Sequence, residues 1–119
     1  MEKKLTTKGL IGKKCVACEG KGVKPMKPAE AKEYIALTKG WKLGTGAKSI
    51  SREFKFKDFM ASINFVNEVS EIAESEGHHP DIAINWNKVT LVLTTHAIKG
   101  LSQNDFIVAA KTDALIRTK

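Results

Sequence analysis

Only two cysteines occur in the 119 residues, Cys15 and Cys18, spaced as a single C-x-x-C. Two thiols exclude a disulfide framework, and two ligands do not make a zinc site. No apolar run approaches the roughly 18 residues that cross a bilayer, and Met1 to Leu10 lacks the apolar segment of a secretory signal. Both absences predict a cytoplasmic protein without a membrane partner. Low-complexity segments are missing, and no internal repeat is strong enough to read from the residues. Arginine is scarce where positive charge is dense. Ten of the 20 basic residues fall at or before Lys39, and all ten are lysine, without interleaved aromatics. The net charge of +7 therefore reads as a solvated basic arm rather than a nucleic-acid surface.

What is present suits one small globular domain. The chain is 42% hydrophobic and 28% charged, outside the disordered and membrane classes. Its length fits a single core, since such domains run about 50–200 residues. Residues 1–27 scatter Gly9, Gly12, Gly20, Gly22 and Pro25 among lysines and read as an irregular leader, leaving 28–119 as the domain.

Pro28 opens a predicted helix over about 28–39, with Ala31, Tyr34 and Leu37 three or four apart before Gly40. Trp41 with Leu43, and then Ile50 to Phe56, predict two strands around a Gly44–Gly46 turn. Asp58 is the expected N-cap of a long helix in which Phe59, Ile63, Val66, Val69 and Ile72 recur at helical spacing until Gly77. Ile82, Ile84 and Trp86 alternate as a third strand, Asn87 and Lys88 turn, and Val89 to Thr95 alternates as a fourth. Ser102, with Asp105 three residues on, starts a last helix running to about Arg117. Hairpin-length connections between the strands predict an α+β fold of order α-β-β-α-β-β-α. Its four-stranded antiparallel sheet should carry three helices on one face.

All three histidines lie between residues 78 and 96. His78 and His79 leave a helix end at the rigid Pro80, and His96 leaves a strand end, so a sheet packed on that helix would gather them at one rim. A histidine at a helix C-terminus has a structural role of its own, as an imidazolium favoured by the macrodipole. Two adjacent histidines with a third nearby fit that role poorly. A three-histidine metal site is the sharpest rival, but adjacent side chains usually point apart. Taken singly, Asp105 reads as a helix cap, Glu74 as a solvated helix residue and Trp86 as core.

Taken together, Glu74, His78-His79-Pro80, Trp86, His96 and Asp105 resemble the signature of the pterin-4a-carbinolamine dehydratase family, with seven specified positions between residues 74 and 105. Gly40-Trp41, Phe54 to Phe59, Asn87-Lys88-Val89, Thr94-Thr95-His96 and Gly100-Leu101-Ser102 are similar to family segments as well. The resemblance covers roughly residues 28 to 116, and the Cys-Val-Ala-Cys-Glu-Gly leader looks microbial.

The resemblance implies the fold read above and a hydro-lyase acting on 4a-hydroxytetrahydropterin, with no metal or cofactor, in tetrahydrobiopterin recycling. It implies His78, His79 and His96 as the catalytic residues, His78 and His96 forming the acid/base pair and His79 contacting substrate. Imidazole suits either task near neutrality, its reference pKa being about 6.5. Asp105 would orient and polarise a histidine, and Glu74 would support the site. Gly77, Thr94 and Thr95 would hold the pterin together with the histidines, while Pro80 and Trp86 shape the pocket. Position 77 is glycine where some relatives carry an acid, which removes any side-chain contact there. The resemblance also implies a homo-oligomer, dimer or tetramer, and leaves open a coactivator-like partner role without turnover.

Overall fold

The computed structural model describes residues 7–12 and 24–117. Its elements run α1 (Thr7–Ile11), α2 (Pro28–Ile35), β1 (Lys42–Leu43), β2 (Ile50–Lys55), α3 (Phe59–Glu76), β3 (Asp81–Asn85), β4 (Lys88–Leu93) and α4 (Gln103–Arg117). The α+β class and the expected element order are both found. The strands form one antiparallel sheet in the order β1-β2-β4-β3, so β2 and β4 are central and β1 and β3 are edges.

Strand alternation sets the layers. Ile50, Phe54, Val89, Leu91 and Leu93 point to one face and are buried, while their neighbours Glu53 and Lys55 on the other face are exposed. The helices cover the buried face. Within that layer α4 is the central helix, with every residue from Asn104 to Ala110 buried.

At the start of α3, Asp58 has extended geometry and its carboxylate accepts the N–H of Ala61 at 2.9 Å, supplying the expected cap. The buried stripe of this helix differs from the one its periodicity suggested. Ser62, Phe65, Val69 and Ala73 face inward, whereas Phe59 is 45% exposed. Phe65 fixes the rotation because its ring lies 4.8 Å from that of Phe54 and 4.9 Å from that of Phe56, a slot prepared by β2 and the residue that follows it.

The leader is not wholly irregular. Thr7–Ile11 is helical, and Leu10 is fully buried in the same core, with α1 packed against α4. Cys15 and Cys18 lie outside the described residues. Further along, the main-chain N–H of Met26 donates to Leu101 O at 2.8 Å, and a Cβ on Gly100 would stand 2.5 Å from that of Pro25. Only glycine allows so close an approach at position 100.

At the other end of the sheet, Asp113 of α4 accepts from Trp41 Nε1 at 3.0 Å and from Arg52 Nη1 at 2.8 Å. Arg52 also lies over the Phe54 ring at 4.5 Å. This cluster joins α4 to the β1–β2 side of the sheet. Among the described residues no helix is long and apolar enough to cross a membrane.

Candidate active site

Helix α3 stops at Gly77, whose φ of 64° and ψ of 28° place it in the left-handed region that glycine enters without a Cβ penalty. The N–H groups of Gly77 and His78 both turn back to Ala73 O. The next two side chains then diverge. His78 turns inward, its side chain only 12% exposed, with Nε2 2.6 Å from Asp105 Oδ1. His79 turns outward and meets Glu74, Nε2 to Oε2, at 2.5 Å with both side chains more than half exposed.

Asp105 is the third residue of α4 and is fully buried. Its Oδ2 accepts the N–H of Ser102 at 2.9 Å, the bond of a capping box, and the hydroxyl of Thr95 at 2.8 Å. A carboxylate only accepts, so the Nε2 facing it carries the proton of His78. Nδ1 of His78 then keeps its lone pair and has no hydrogen-bond partner among the described residues. His96 directly follows Thr95 and opens a 3-10 turn, His96–Ile98, where it is exposed and its ring makes no hydrogen bond among the described residues. One buried carboxylate thus ties the end of α3 to the loop that carries His96. His78, backed by an acid, and the solvent-facing His96 lie on segments that Asp105 and Thr95 join.

A family model described as pterin 4 alpha carbinolamine dehydratase matches residues 24–115. The chain belongs to that family. A relative in Halorhodospira halophila that carries the name of a pterin-4-alpha-carbinolamine dehydratase is 46% identical over 106 residues, 89% of this chain and 96% of the relative. One of the same name in Aromatoleum aromaticum is 45% identical over 109 residues, 92% of this chain and 96% of the relative. The crystal structure of a transcriptional coactivator/pterin dehydratase from Brucella melitensis superposes with a TM-score of 0.74 at 32% identity, over 77% of this chain and 98% of the other. A pterin dehydratase-like RuBisCO assembly factor of the alpha-carboxysome shares the fold, with a TM-score of 0.56 at 21% identity over 64% of this chain and 88% of the other. The family is the one its residue signature resembles, and its chemistry makes the chain an enzyme of the hydro-lyase class.

Within this dehydratase fold the predicted site residues divide into three groups. His78, Asp105 and Thr95 are joined by hydrogen bonds with His96 next in chain to Thr95, and Pro80 lies buried beside His79 just before β3. Among the described residues Glu74 reaches only His79. The threonine hydroxyls already have protein partners: Thr95 donates to Asp105 Oδ2, and Thr94 donates to Lys48 O at 2.6 Å. The N–H of Gly77 is likewise taken by Ala73, which leaves its carbonyl as its remaining main-chain group.

Trp86 is not brought to the rim by its own chain. It sits in the turn that joins β3 to β4, and the whole of β3 separates it from Pro80 by roughly 20 Å of extended chain. The turn itself is Trp86-Asn87, one residue earlier than expected, with Trp86 at a φ of 51°. Phe56 fixes it from both sides, because its N–H donates to Asn87 O and its O accepts from Asn87 Nδ2. Ser102 is the residue that the sequence reading undervalued, as a helix start only. The signal was present, since an acid at the third position of a capping box has a second oxygen to offer. Among the described residues no three His, Cys, Asp or Glu side chains gather as a metal ligand set.

Proposed function

We propose that the chain removes water from 4a-hydroxytetrahydropterin to give the quinonoid dihydropterin, by histidine acid/base catalysis in the cytoplasm. The step breaks the bond between C4a and the hydroxyl oxygen. It also takes the proton from N5, so that a C4a=N5 double bond forms and one water leaves. The observation that carries the reading is His78, held by Asp105 through Nε2 with Nδ1 left open. An imidazole backed by a carboxylate suits the base, because the carboxylate stabilises the imidazolium that proton abstraction creates. His96, exposed and adjacent in chain to Thr95, suits the acid that protonates the departing hydroxyl. His79, steadied by Glu74, is assigned to substrate contact. The product would return to the tetrahydropterin pool after reduction, which places the enzyme after a pterin-dependent hydroxylation.

The test is a dehydration assay on pure protein, followed by absorbance of the quinonoid product and corrected for the spontaneous reaction. Acceleration unchanged by a chelator is expected. Loss with chelator and recovery with zinc would overturn the mechanism. No acceleration at all would leave a coactivator-like partner module as the reading.

The same proposal includes self-association through β3. This edge strand exposes Ile82 at 38% and Ile84 at 37%, with Trp86 beyond them at 62%. The two-residue turn makes Asn85 and Lys88 a hydrogen-bonded pair, so the main-chain groups of Ile82 and Ile84 face the open edge. Two such edges pair antiparallel about Ala83, and in that register Trp86 of a second copy falls opposite Pro80. This pairing would return Trp86 to the histidine rim. Ile82→Asp with Ile84→Asp is expected to yield a monomer in sedimentation analysis, and an unchanged oligomer would remove β3 from the interface.

A further inference from the structure

The two hydroxyls behind Asp105 form a chain of hydrogen bonds whose direction is forced at both ends. Asn104 N–H lies 3.2 Å from Ser102 Oγ and is a donor only. Ser102 Oγ lies 2.8 Å from Thr95 Oγ1, and Thr95 Oγ1 donates at 2.8 Å to Asp105 Oδ2, which accepts only. Thr95 has one proton and gives it to Asp105, so the proton between the two hydroxyls belongs to Ser102. The order is Asn104 N–H to Ser102 to Thr95 to Asp105, and the other oxygen of Asp105 holds His78. In such a one-way chain each bond polarises the next.

We propose that Thr95 and Ser102 are positioning residues of the active site. They fix the plane of the Asp105 carboxylate, and through it the tautomer and ring orientation of His78. The proposal rests on the dehydratase reading and deepens it.

Three features support this role. The χ2 torsion of an aspartate is broad, so one bond to Ser102 N–H does not set the carboxylate plane, and a second donor from a different segment does. Thr95 has no competing local duty for its hydroxyl. It precedes a 3-10 turn without capping it, and its main chain is already fixed by the paired bonds with Gly100. The residue is also only 4% exposed, which keeps both water and substrate away from the hydroxyl. A threonine expected at the pterin thus acts two bonds behind the reacting atoms.

Thr95→Val keeps the shape and removes the proton, and Thr95→Ser restores it. Steady-state kinetics on the full chain should show kcat for Thr95→Val lower by about tenfold to a hundredfold, the range for losing a hydrogen bond to a charged group, with KM little changed. Thr95→Ser should recover most of the loss. Nitrogen-15 NMR of labelled histidine supplies a readout that needs no turnover. His78 should be a single Nε2–H tautomer in the parent chain and a mixture in Thr95→Val. A wild-type kcat with an unchanged tautomer overturns the proposal, as does a rise in KM alone, which would put Thr95 on the substrate. If Thr95→Val does not fold, Ser102→Ala is judged by the same two measurements. A parent chain without turnover, but with the tautomer shift on substitution, sinks the dehydratase reading and upholds the positioning role.

Discussion

His78→Ala and His96→Ala are each expected to lower kcat by about 10²–10⁴, the usual worth of general acid or base assistance. In the proposed mechanism each substitution removes one end of the proton traffic. Without His78 the N5 proton has no base backed by a carboxylate, and without His96 the hydroxyl leaves without a donor. The double variant should lose less than the product of the two factors, since groups that serve one step are not independent. His79→Ala should act mainly on KM, because its partner Glu74 lies on the exposed side of α3, away from Asp105. Rates must be set against the spontaneous reaction. Near parental kcat in both single variants would remove His78 and His96 from the acid/base step.

Asp105→Asn is expected to damage activity and stability together. Three donors converge on this carboxylate: His78 Nε2–H, Thr95 Oγ1–H and Ser102 N–H. An amide offers them one oxygen and presents a donor of its own on the other side. If the oxygen stays with Thr95 and Ser102, His78 must flip its tautomer and put its proton toward the substrate, which removes the base. A loss of about 10²–10⁴ in kcat is expected on that account. If the oxygen turns to His78, the other two donors face the amide NH2 group, at a cost of up to about 1–3 kcal/mol for each unmet group. One of the two, the Ser102 N–H, is the cap bond of α4, whose loss typically costs about 1 kcal/mol. Urea unfolding should therefore show a loss of about 2–4 kcal/mol, a large share of the roughly 5–15 kcal/mol that holds a domain folded. Asp105→Asn with parental kcat and midpoint would remove Asp105 from both roles.

The parts of the fold legible in the sequence were those decided by nearby residues. Asp58 and Gly77 bound α3 because a cap and a left-handed stop are local chemistry. The strands declared themselves by alternation, and the family by the spacing of the histidines, Trp86 and Asp105. What stayed hidden depended on distant neighbours. The rotation of α3 follows Phe65, which the rings of Phe54 and Phe56 select. Thr95 looked like a strand-end hydroxyl free for a ligand, and its engagement depends on an aspartate ten residues later. Trp86 read as a strand residue because a bulky aromatic at positive φ is not what turn chemistry suggests. Helix α1 was missed because five residues among glycines and lysines carry too little periodicity, and only burial of Leu10 justifies it.

Helix α1 has a consequence for how the molecule is made. The surface that Leu10 fills belongs to α4, which leaves the ribosome about ninety residues after α1. At roughly 5–20 residues per second, that segment waits on the order of several seconds for its neighbour. The central pair β2 and β4 meets the same delay on a smaller scale. Little of this core can close during synthesis, so the nascent chain must stay soluble while incomplete. The early lysines suit that interval, holding the emerging segment in water until α4 arrives.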